Sequence, residues 1–91
     1  MLLFERTIAL ANRPINTIKV YPNPVTNELI IEFKGNTNKT DFEVINTAGQ
    51  VVFLGILLEK EVVNTSQFSP GIYLIKLKSG DTFEFKKVLK N

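Results

Sequence analysis

The chain has 91 residues, enough for one domain with a modest core. Its composition is that of a globular protein, 44% hydrophobic and 22% charged, and a net charge of +2 is too small to argue for nucleic acid. The absence of cysteine and histidine excludes disulfide staples, thiol nucleophiles and the usual general base.

The charge is uneven. Residues 71–91 hold Lys76, Lys78, Lys86, Lys87 and Lys90 against Asp81 and Glu84, a local balance of +3. No apolar run approaches the ~20 residues of a membrane-spanning helix. Met1-Leu2-Leu3-Phe4 is broken at once by Glu5 and Arg6, so it does not read as a signal peptide. If the protein is exported, its signal is expected in a longer parent chain.

Residues 1–16 fit strand and helix periodicity equally. They read as a linker or the end of an upstream region, with Pro14 as a breaker. The domain proper is expected over residues 17–91. Thr17 to Tyr21 predicts a short strand with Ile18 and Val20 inward. Pro22-Asn23-Pro24 stops it, because neither proline can donate to a ladder and both fix φ. The result is a stiff corner, suited to carrying the chain from one sheet to another. Asn27 to Lys34 is the next strand, with Leu29, Ile31 and Phe33 on one face and Ile30 a misfit on the other.

After the polar loop Gly35 to Lys39, a strand over Thr40 to Ile45 turns Phe42 and Val44 inward. Asn46-Thr47-Ala48-Gly49 is a turn in which Gly49 takes the left-handed position of a type I turn with a bulge. Gln50 to Leu58 is almost continuously apolar. That predicts a strand covered on both faces, or one that changes sheets at Gly55. Glu59-Lys60-Glu61 reads as a solvated turn, Val62 and Val63 as the start of a short strand, and Phe68 as a plug for the open end of the core.

The last third predicts a hairpin. Tyr73, Ile75 and Leu77 alternate with polar neighbours, and Gly80 lies at the turn. Phe83 and Phe85 carry the inward parity of the returning strand. Val88 has the opposite parity, so a bulge is expected near Lys86-Lys87. About seven short strands with Gly, Pro and Asn turns point to an all-β fold, an antiparallel β-sandwich of immunoglobulin type.

Four motifs in order carry a family resemblance: Tyr21-Pro22-Asn23-Pro24-Val25, then Asn46-Thr47-Ala48-Gly49-Gln50-Val51-Val52, then Ser69-Pro70-Gly71-Ile72-Tyr73, and a Lys-Lys-apolar-apolar-Lys end. Together they make residues 17–91 resemble the C-terminal sorting domain of the type IX (Por) secretion system. The resemblance implies an address rather than an activity. Such domains end large proteins exported by Gram-negative bacteria. They are recognised in the periplasm, direct passage across the outer membrane to the cell surface or medium, and are commonly removed by a surface peptidase. Here the family's patterns fall on Pro22, Asn23, Pro24, Gly49, Gly71, Tyr73 and the lysines 86, 87 and 90. Removal is expected before Thr17.

By residue type alone, Lys86, Lys87 and Lys90 read as a solvated edge that discourages aggregation. Their position and the order of the motifs favour recognition by a translocon. Gly71, Tyr73 and Pro22-Asn23-Pro24 read as structural. The partners implied are the type IX machinery, meaning a translocon or shuttle component and the surface peptidase, with no membrane insertion. The exposed last strand also offers a second copy an edge to pair with.

No cofactor, metal or catalytic residue is expected. The carboxylates Glu28 and Glu32 share a face but stand four strand residues apart, about 13 Å, too far for a glycosidase pair. No calcium loop or glycine-rich phosphate loop is present. A single-stranded nucleic-acid site at Tyr73, Phe83 and Phe85 is disfavoured because their parity assigns them to the core. An immunoglobulin-like adhesion or carbohydrate-binding module is the remaining alternative, without a tryptophan platform to support it.

Overall fold

Runs of alternating apolar and polar residues, cut by Pro, Gly and Asn, fold as strands because one face of each can be buried. In the computed structural model, residues 18–36 and 38–91 are described. The readings of residues 1–16 and of Thr17 lie outside them. The strands are β1 (Ile18–Tyr21), β2 (Glu28–Phe33), β3 (Thr40–Ile45), β4 (Val51–Leu57), β5 (Lys60–Asn64), β6 (Gly71–Ser79) and β7 (Thr82–Lys90). They form two antiparallel sheets, ordered β1-β2-β5 and β4-β3-β6-β7. The fold is the expected all-β sandwich.

The core lies between the sheets. Leu29, Ile31 and Val63 enter from one side, and Phe42, Val44, Leu57, Tyr73, Ile75, Leu77 and Val88 from the other. Each such side chain contributes about 1.5–3 kcal/mol on burial. Phe42 stacks on Phe53 at 5.9 Å between ring centres. Its ring also lies on Gly55, where an added Cβ would stand 2.5 Å from it. Gly55 is therefore a space left for an aromatic ring.

That packing corrects the reading of the apolar run. β4 is an edge strand that stays in its sheet, with Phe53, Gly55 and Leu57 inward and Leu54 and Ile56 exposed. It is neither covered on both faces nor bent across at Gly55. The crossing comes at Leu58-Glu59, where Phe33 N donates to Glu59 O at 2.7 Å. Lys60 and Glu61 are already strand residues paired with β2, so the expected Glu59-Lys60-Glu61 turn is shorter. Pro22-Asn23-Pro24 does carry the chain from one sheet to the other: it leads from β1 to Val25, which bridges Lys90 on the edge of the four-stranded sheet, before the chain returns to β2 beside β1. Phe33 packs against the core as expected, half-buried at its margin.

The largest correction concerns β7. Ser79 pairs with Thr82, and the register runs unbroken to Gly71 opposite Lys90. A hairpin turn fixes register, and β6 already commits Tyr73, Ile75 and Leu77 to the core. Their partners Val88, Lys86 and Glu84 must then lie on the same side. Phe83 and Phe85 consequently face solvent, at 51% and 53% exposure, and there is no bulge at Lys86-Lys87.

Candidate recognition site

Among the described residues β7 is the outer strand of its sheet, with no further strand along its outer row of backbone groups. Near the chain's end that row is occupied. Leu89 N donates to Asn23 Oδ1 at 2.9 Å, and Asn23 Nδ2 donates to Lys87 O at 3.4 Å. Val25 N donates to Leu89 O at 2.8 Å, and Asn91 N donates to Val25 O at 3.0 Å. Val25 itself is buried and forms a parallel bridge with Lys90.

The local chemistry explains this latch. Pro22 and Pro24 have no N–H to offer an edge. The amide of Asn23 supplies both a donor and an acceptor in their place. Tyr21, just before Pro22, is anchored separately: its hydroxyl donates to Glu32 Oε1 at 2.9 Å. That hydrogen bond is the main cause holding its phenol pKa above the ordinary value.

On the other side of β7, Gly71 pairs with Lys90 and Tyr73 with Val88. Gly71 has φ of 146°, which side chains rarely adopt and which turns the crossing chain into β6. The Tyr73 hydroxyl donates to Ser69 O at 2.6 Å, four residues upstream, in the manner of the tyrosine corner of immunoglobulin-type sandwiches. Phe68 packs against the Tyr73 ring at 5.2 Å between centres, half-buried at this end of the core.

The Asn46–Gly49 turn borders the same region. Asn46 Oδ1 accepts from Ala48 N at 3.0 Å and Gln50 N at 2.9 Å. Gly49 takes φ of 84°, and the register shifts by one residue between Val44 and Ile45, as a turn with a bulge requires. Between this turn and Ser69–Tyr73 lies an open cavity of about 470 Å³.

A model of the secretion system C-terminal sorting domain matches residues 19–91. The chain belongs to that family. No curated protein matches it. As such a domain, it is a C-terminal sorting signal of the type IX secretion system. It interacts with that machinery, and its kind directs export to the cell surface or medium.

In the sorting domain, motifs dispersed over some 70 residues gather at one pole: Pro22–Val25, Asn46–Gly49, Ser69–Tyr73 and Lys87–Asn91. Gly80, with φ of 60°, sits at the opposite pole. So does Ile18, which lines a cavity with Ser79, Thr82 and Phe83. The eight steps of β6 separate the poles by about 26 Å.

The lysines do not form one patch. Lys87 points outward and is exposed. Lys86 has the opposite parity, is half-buried and pairs with Glu84 at 3.1 Å. With both partners about a third exposed, that pair contributes little. Lys90 is 9% exposed, and its Nζ donates to Asn91 O at 3.2 Å. Among the described residues no three metal-ligating side chains gather. Sequence reasoning missed Val25 and Leu89, whose part in the latch lies in their backbone groups. The isolated apolar Val25 after Pro24 was the available signal.

Proposed function

We propose that the latched pole is the surface the export machinery reads. The domain does no chemistry of its own. A passenger joined upstream of Ile18 hangs from the far pole and follows the domain from the periplasm across the outer membrane of a Gram-negative cell. The observation that carries this reading is the gathering of the motif residues around Lys87–Asn91. A site read as a folded shape needs its parts held in place, and the Asn23 and Val25 hydrogen bonds do that for the last residues of β7.

The test is a fluorescent passenger with a signal peptide and the 91-residue chain at its C-terminus, in a cell that has the machinery. Delivery to the surface or medium is expected, and removal of Lys86–Asn91 should leave the passenger in the periplasm. Periplasmic retention of the intact fusion, or delivery indifferent to the removal, contradicts the reading.

A further inference from the structure

The outer face of the four-stranded sheet is laid out in columns. β4 presents Leu54 and Ile56, β3 presents Asp41 and Glu43, β6 presents Lys76 and Lys78, and β7 presents Phe83 and Phe85. Pairing aligns them in two rows: Ile56, Asp41, Lys78, Phe83 and Leu54, Glu43, Lys76, Phe85. The outer columns are well exposed, with Leu54 at 67% and Ile56 at 52%, like the two phenylalanines. Exposed apolar side chains gathered on one face mark an interaction surface.

The acidic and basic columns are adjacent but unjoined. Among the described residues the sole ion pair is Lys86 with Glu84. Lys76 and Lys78 lean over the Phe83 ring instead, with Nζ 4.8 and 5.7 Å from its centre. The carboxylates of Asp41 and Glu43 thus have no cation within ion-pair distance among those residues.

We propose that this face pairs with the same face of a second copy of the chain. Consider a two-fold axis parallel to the strands, between β3 and β6. It lays β3 over β6 of the second copy and β4 over its β7, and it keeps each row on itself. Asp41 then meets Lys78 of the second copy and Glu43 meets Lys76, each pair occurring twice. Leu54 and Ile56 cover Phe85 and Phe83 of the second copy. The charge order along each row makes the face complementary to itself in this one register. Two sheets packed this way have their strands nearly aligned, the usual sandwich geometry.

Four strands about 4.8 Å apart span about 19 Å, and two rows about 7 Å apart occupy about 14 Å along the strands, a plan area on the order of 300 Å². Standard interfaces bury about 800 Å² per partner, so the dimer belongs at the weak, concentration-dependent end. It uses a face of the sheet and leaves the latched edge of β7 free.

Sedimentation of the 91-residue chain over a concentration series tests it. The mass should rise from 10.3 kDa toward twice that value. A K76E/K78E variant and a D41K/E43K variant should each stay monomeric alone. Mixed in equal amounts they should form a heterodimer, since all four cross-pairs are restored. Leu54→Asn, at an exposed position, should weaken association without needing any charge change, and serves if a charge variant fails to fold. A monomer at every concentration overturns the proposal. So does a dimer that survives both charge variants, which would indicate edge pairing, or a mixture that stays monomeric.

Discussion

Along β7, Phe83 and Phe85 stand in solvent while Val88 and Lys90 turn toward the core, although the two halves have similar composition. The first half, Thr82–Lys86, has no ladder partner on its outer backbone edge among the described residues. The second, Lys87–Asn91, has its edge closed by Asn23 and Val25, more than 60 residues earlier in the chain. The contrast teaches where the strand's shape comes from. The hairpin turn sets the register of both halves, but among the described residues only the second has its outer backbone edge hydrogen-bonded to a segment distant in sequence. A short edge strand with a free flank frays readily, and a latch across it converts the end of a chain into a defined surface.

Three substitutions would break or sharpen that contrast. The largest effect is expected from Val88→Asp. A carboxylate forced into a site that is 2% exposed loses its hydration, and the cost should be about 3–5 kcal/mol. A domain of this length has a total stability of about 5–14 kcal/mol at the usual per-residue value. Urea denaturation should therefore show a midpoint shifted far down.

Asn23→Ala should act next, by about 1–2 kcal/mol, because two hydrogen bonds at the edge are lost. Amide hydrogen exchange should show Leu89 and Asn91 opening faster while the amides of Thr82–Lys86 exchange as before. Equal acceleration in both halves would mean that the latch holds the whole strand. Phe85→Ser is expected to be smallest. Its ring is half in water, so stability should change by no more than about 0.5 kcal/mol.

Most strands were legible because their signals are local. The alternations in Thr40–Ile45 and Gly71–Ser79 and the Asn46–Gly49 turn are read directly from neighbouring residues, and the structure follows them. Phe83 and Phe85 were misread because size and apolarity were taken as burial. Their orientation follows from the parity of β6, carried through a tight turn. Gln50–Leu58 was misread for a related reason: an edge strand with one exposed apolar face has the same composition as a fully covered one. Gly55 makes sense only once Phe42 is opposite it. The motif residues were legible as a family pattern, but their convergence was not. It depends on the backbone of Lys87, Leu89 and Asn91 meeting Asn23 and Val25, and no periodicity encodes a pairing between such distant segments. The three lysines, read together as a solvated edge open to a translocon, divide between the strand's two faces for the same parity reason.

The most direct test of the account compares the two poles in one export assay. Two fusions of a signal-bearing fluorescent passenger to the 91-residue chain would carry either Asn23→Ala at the latched pole or Asp81→Ala at the Gly80 turn. Both would first be shown to be folded by circular dichroism. The account expects the Asn23 variant to leave its passenger in the periplasm and the Asp81 variant to deliver it normally. Equal delivery by both would contradict it.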